Sequence, residues 1–176
     1  MIKIVPYDNA WPSLFEAEAA SIREAMRGLA VRIEHVGSTS VPGLAAKPVI
    51  DIQVSVATLE TLGIYSEPLA HLGYSHIPLG PFDLVYQKPA EWPSTHHVHL
   101  CAVGAEQERQ HLAFRDYLRS HPAVAVEYME LKRSLAAAHD DATLESRERY
   151  SLSKTQFVTS VLQRALSASY RWPEQP

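Results

Sequence analysis

Cysteine is nearly absent. Cys101 stands alone among 176 residues, so no internal disulfide staples the fold, and a reducing compartment is the expectation. Long apolar runs are missing too: none approaches the ~20 residues that span a bilayer. The opening Met1-Ile2-Lys3-Ile4-Val5-Pro6-Tyr7-Asp8 has neither the apolar stretch nor the cleavage site of a secretory signal. A cytoplasmic protein with no membrane partner is therefore expected. Positive charge is scarce as well. Sixteen Lys and Arg face 20 Asp and Glu, a formal net charge of -4, which argues against charge-driven nucleic-acid binding. Repeats and long linkers are also lacking. What remains is an ordinary globular mix, 46% hydrophobic and 20% charged, long enough for one core. A single domain over 1–170 with a tail at 171–176 is expected.

Periodicity supplies the elements. Ile2–Val5 reads as a short strand. A helix starting at Pro12 and running towards Gly28 carries Leu14, Phe15, Ile22, Ala25, Met26 and Leu29 at helical spacing. Strands are predicted at Val31–Val36 and Val49–Val56, and a helix within Thr58–Leu72 with Ser66 as its cap and Pro68 in its first turn. Tyr74–Ile77, Phe82–Gln87 and Thr95–Val103 read as further strands. Helices follow over Glu106–Arg119, from Pro122 to Ala138, and over Leu144–Ser167. The class is α+β: a mixed sheet with helices packed on it and a helical C-terminal part.

The stretch from Ile33 to Val54 carries the chemistry. It reads as a strand, a loop of Gly, Ser and Thr, and a second strand with one acid among apolar neighbours. Small loop residues bring backbone N–H groups close to a phosphate, and Asp51 on the next strand would hold a divalent cation against it. Gly37, Ser38, Thr39 and Ser40 are the phosphate-binding candidates, with Lys47 as counter-charge. This is not a Walker loop, because Pro42 stands where the second Gly belongs. A plain connection whose Gly and Pro set its turns is the alternative.

Alternation extends the site. Ile50, Ile52, Val54 and Val56 share one strand face, and Asp51, Gln53 and Ser55 the other. Val98, Leu100 and Ala102 oppose His97, His99 and Cys101; Val31 and Ile33 oppose Arg32 and Glu34. If the three strands are neighbours, Arg32, Glu34, Asp51, Gln53, His97 and His99 share a face. His97 and His99 then read as a pair of metal ligands, or His99 as a general base, or the two as a hydrogen-bonded pair without chemistry. Arg115 and Arg119, one helical turn apart, would grip a phosphate or form an ordinary charged face. Lys132, Tyr150 and Lys154 read as a cleft rim or as plain helix surface.

The run from Glu34 to Ile52 resembles the signature of the GrpB family. Val5-Pro6-Tyr7-Asp8, Trp11-Pro12, His97-Val98-His99-Leu100, His111–Arg119, Tyr150, Lys154 and Phe157 fit the same resemblance, which covers nearly the whole chain. It implies a polymerase-beta-like nucleotidyltransferase fold, and some members of the family occur fused to dephospho-CoA kinase. Gly37 and Ser38 map onto the nucleotidyltransferase Gly-Ser element, and Asp51 onto its first metal carboxylate. Two positions on, where a second carboxylate is expected, this chain has Gln53. His97 or His99 stands where a third belongs. With Asp51 and Glu34 as the only anions, one ion suits the set better than two. The cofactor expected is Mg²⁺ or Mn²⁺, with Zn²⁺ or Fe²⁺ favoured by histidine. The implied function is metal-dependent nucleotidyl or phosphoryl transfer from a nucleotide or phosphate ester. The alternatives are a non-catalytic module binding a nucleotide or CoA-type ligand, and a histidine-based metallohydrolase.

Overall fold

The computed structural model describes residues 2–78, 84–139 and 143–167. Helix α1 (Trp11–Met26) has Pro12 in its first turn, where the missing N–H costs nothing. Trp11, Phe15, Ala19, Ile22 and Met26 recur every three or four residues and form its buried stripe. Leu14 and Leu29, predicted to join that stripe, are instead exposed. Leu14 sits about 100° around the helix from Phe15, and Leu29 lies beyond the last turn.

Five strands follow: β1 (Ala30–Val36), β2 (Ile50–Val56), β3 (Ser75–Pro78), β4 (Leu84–Lys88) and β5 (His96–Ala102). They form one sheet in the order β1-β2-β5-β4-β3. Only β2 and β5 run parallel; the other pairs are antiparallel. The sheet is therefore mixed. Ile2–Val5 contributes no strand, only a bridge between Val5 and Ala46. Phe82, expected in β4, lies outside the described residues.

Helix α2 (Gly63–His71) begins before its predicted cap. Ser66 sits inside it, donating to the Leu62 carbonyl and hydrogen-bonding the Tyr86 phenol. Pro68 therefore falls within the helix and forgoes the bond a residue there would make to the carbonyl one turn back. Helices α3 (Glu106–Ser120) and α4 (Pro122–Ala138) match the reading closely. The last predicted helix is two: α5 (Leu144–Leu152) and α6 (Thr155–Ser167). Ser153 ends the first by turning its hydroxyl onto the Arg149 carbonyl, a local bond that competes with helix continuation.

The apolar sheet face, with Ile50, Ile52, Val54, Val98 and Leu100, packs under α1 and α2 as the main core. A second core joins Val41 and Leu44 of the β1–β2 loop to Leu118, Tyr128 and Val161 of α3, α4 and α6. The loop is thereby fixed against the helical half.

Beneath the loop lies His35, stacked on Phe15 with ring centroids 4.8 Å apart. Thr39 Oγ1 donates to the Val49 carbonyl at 3.1 Å, so its lone pair accepts from His35 Nε2–H at 3.0 Å. Burial pulls the imidazole down to about 4. As pH falls from the usual histidine range towards 4, the unfolded chain takes up a proton that the fold refuses. Stability should drop by about 3 kcal/mol across that window. Thermal melts of the protein and of His35→Gln between pH ~7 and ~4 check this: the variant's profile should be flatter.

Candidate functional site

Register assembles the site. In the parallel β2–β5 pair Asp51 stands beside His97 and Gln53 beside His99; in the β1–β2 pair Glu34 stands beside Gln53. The six polar side chains therefore do share one sheet face, opposite the main core. At its loop end, Gly37 adopts φ 68° and ψ −171°, and the turn Ser38–Ser40 follows. The Asp51 side chain packs directly on Gly37, where a Cβ would collide with it. The bare backbone at Gly37 thus makes room for the carboxylate.

Asp51 Oδ1 lies 3.2 Å from His99 Nε2 and 3.4 Å from His97 Nδ1. The other His97 nitrogen meets Ser94 Oγ at 2.8 Å, which orients the ring as outer partners of metal-binding histidines do. Burial opposes ionisation of Asp51, but the hydrogen bonds to His97 and His99 outweigh it and hold the carboxyl well below the usual carboxylate range. Among the described residues, Asp51, His97 and His99 form the group whose ligand atoms all lie within 4.8 Å of one another. One carboxylate and two imidazoles fit a single divalent ion of the Mn, Fe or Zn type.

The cluster opens into a cavity of about 360 Å³ that Ser38, Thr39, Val85, Gln87 and Trp92 also line. Four cations reach it, each over an aromatic face. Lys47 Nζ stands 4.1 Å from the Trp92 ring centre and the Arg147 guanidinium 4.3 Å from the same ring. Lys154 stands 4.3 Å from Tyr150, and Lys132 4.8 Å from Tyr128. An aromatic face holds a cation without cancelling its charge. Lys132 also donates to the Ala45 carbonyl at 2.6 Å. Burial, with Lys154 adding to it, lowers Lys132 to about 7; burial lowers Lys154 to about 8, Asp51 opposing. These cations, with Glu148 also on the wall, set positive charge beside the carboxylate–imidazole cluster.

Three predicted residues are not part of this arrangement. Glu34, expected among the metal ligands, accepts from Arg115 Nη1 at 2.7 Å. Arg115, expected to grip a phosphate, is buried, and it donates also to Asp116 and to the His35 carbonyl. The Ser40 hydroxyl turns back to the Gly37 carbonyl, and its own carbonyl accepts two bonds from Arg119. The cause is α3, which lies across the β1 half of the polar face. Glu108, His111 and Arg115 meet Arg32, Gln53 and Glu34 in turn, with Glu108 accepting from Arg32 at 2.9 Å and His111 meeting Gln53 at 2.9 Å. Half of the predicted site is therefore a polar seam between helix and sheet. Thr39 lines the cavity, but its hydroxyl proton is spent on Val49. Cys101 is buried and its thiol pushed up to about 11 by burial, a packed strand residue.

Sequence reasoning missed Trp92 and Arg147 and left Lys132 and Lys154 undecided between a cleft rim and plain helix surface; they line the cavity. The available signals were the i, i+3, i+7 spacing of Glu108, His111 and Arg115, which marks one helix face, and the pairing of each lysine with a nearby Tyr.

Comparison with known proteins is concordant. The sequence pattern of the family described as GrpB protein matches residues 1–164. The UPF0157 protein YqkA of Bacillus subtilis is 37% identical over 145 residues, 80% of this chain and 41% of that protein, so this chain spans about two fifths of its length. The UPF0157 protein PA4798 of Pseudomonas aeruginosa is 39% identical over 173 residues, 96% of this chain and 69% of the other. The crystal structure of the conserved protein GrpB from Enterococcus faecalis superposes with a TM-score of 0.83 at 36% identity, over 96% of this chain and all of that one.

Proposed function

From a chain that belongs to the GrpB family, we propose a protein that binds a nucleotide or related phosphate ester beside one divalent cation and transfers its nucleotidyl or phosphoryl group. The observation that carries this reading is the opening of the Asp51–His97–His99 cluster into a cavity walled by Lys47, Lys132, Arg147 and Lys154. Asp51, His97 and His99 would hold the ion, which supplies charge neutralisation at the phosphate. Ser38 borders the same cavity; its hydroxyl, hydrogen-bonded to the Tyr128 phenol, would turn to a phosphate oxygen. Lys47, as the sequence pattern suggested, and Lys154, in place of Arg115, offset the ligand's negative charge. The Gly37-Ser38 turn leading to a strand with Asp51 supports the polymerase-beta-like relationship.

Calorimetric titration of Mn²⁺ and ADP into the protein tests binding, and incubation with labelled nucleotides and candidate acceptors tests transfer. Absence of any nucleotide binding would sink the proposal. One feature favours a second reading, a ligand-binding module without turnover: Gln53 supplies no second carboxylate and is occupied by His111. Tight ADP binding with no transfer to any acceptor selects it.

The lysines give the first reading a pH signature. Burial lowers Lys154 to about 8, and the charged form is the one an anion prefers. ADP affinity should therefore fall severalfold from pH ~7.5 to ~9, with proton uptake on binding near pH 8. In Lys154→Met affinity should be about tenfold lower and the pH dependence flatter. Calorimetry in buffers of different ionisation enthalpy reads both.

A further inference from the structure

We infer that the groove between α3 and α6 is a second ligand site, taking an uncharged molecule that carries a hydroxyl on an apolar body. The assignment of this molecule as acceptor rests on the proposed function; the site itself does not. The groove has a volume of about 620 Å³ and lies between Gln110 and His111 on one side and Thr155, Thr159 and Gln163 on the other.

Two observations carry it. The first is a shared wall: Asp51, His99, Ser151 and Lys154 border both this groove and the cationic cavity. A molecule seated in either space therefore borders the same carboxylate and imidazole. The second is chemical contrast. The first cavity is bordered by Lys47, Lys132 and Arg147 in addition to Lys154. Among the described residues that line the groove, Asp51 and Lys154 at the shared wall are the charged ones. The rest are the imidazoles of His99 and His111, amides, hydroxyls, Gly37 and the apolar Val36, Val158, Leu162 and Leu166. Beyond that shared wall a charged ligand meets no countercharge among the described residues, whereas an apolar body with hydrogen-bonding groups is matched.

His111 sharpens the ligand class. Its Nδ1 faces the Gln53 carbonyl oxygen at 2.9 Å. An amide oxygen only accepts, so Nδ1 carries the proton and Nε2 of the neutral ring is left as an acceptor. A groove whose imidazole offers a lone pair suits a ligand with a donor, which a hydroxyl supplies. Gln53, in place of a second metal carboxylate, thus sets the tautomer of a groove residue.

The test uses the full chain with Mn²⁺ and two probes. One is ADP, followed by calorimetry. The other is a panel of uncharged hydroxyl compounds (nucleosides, aryl glycosides, aromatic alcohols), followed by ligand-observed NMR. Thr159→Trp fills the groove from an exposed position, and Gln163→Trp is a second such variant. Either should weaken the best panel member by about tenfold or more and leave ADP within about twofold; Arg147→Gln should do the reverse. The inference is overturned if no panel member binds, or if binding ignores both Trp variants, or if Arg147→Gln weakens it equally. Panel binding without ADP binding would keep the groove as a site and remove the transfer reading.

Discussion

Asp51→Asn should weaken Mn²⁺ binding by about a hundredfold or more while leaving the protein folded. The substitution is nearly isosteric at a side chain 27% exposed, so packing barely changes. What changes is charge. The carboxylate is the one anion in the cluster, and hard or borderline cations depend on it. Without the ion, Asp51 accepts from both imidazoles, and those hydrogen bonds hold it ionised far below its usual range. Asn provides a weaker, neutral acceptor, so the metal-free variant should lose about 1–2 kcal/mol of stability at neutral pH. That loss should disappear in strong acid, where the wild-type carboxyl is also protonated. Titration calorimetry with Mn²⁺, run beside thermal melts, separates the two effects. Wild-type affinity in the folded variant would remove Asp51 from any cation site, and the proposed function with it.

Much of this site was legible because it is written in strand alternation. Asp51 and Gln53 interrupt Ile50, Ile52, Val54 and Val56, and His97 and His99 interrupt Val98 and Leu100. A period of two assigns each set to a face regardless of what the faces meet. The parallel pairing of β2 with β5 then brings Asp51 beside His97, an adjacency that alternation alone cannot supply. What could not be read depends on contacts far apart in the chain. Glu34 and Arg115 each look like ligand-binding charges in isolation, yet they are 81 positions apart and satisfy one another. Lys132 and Lys154 read as cleft rim or as helix surface until the packing of α4 and the α5–α6 break brings them near Asp51. Local pattern reports a side chain's direction; only the tertiary fold reports whether another charge is already there.

Gly37→Ala is the substitution expected to damage both fold and site, and Gly43→Ala is its control. Both glycines have positive φ, 68° and 78°. At Gly37 ψ is −171°, a combination essentially restricted to glycine and costing other residues about 1–3 kcal/mol. Space distinguishes the two. A Cβ at Gly43 meets nothing within 4 Å, whereas one at Gly37 lies 2.9 Å from Asp51 Cβ and Cγ and closer still to Oδ2. Asp51 would have to leave the imidazoles to admit it. Gly43→Ala should therefore cost about 1 kcal/mol and keep Mn²⁺ affinity. Gly37→Ala should cost on the order of 3 kcal/mol, about 10 °C in Tm, and lose cation binding even where the protein is folded. Melting curves and Mn²⁺ titrations of the pair decide it. Equal losses in the two variants would mean that Gly37 serves the turn alone; a selective loss of binding at Gly37 ties the Gly-Ser turn to the carboxylate it accommodates.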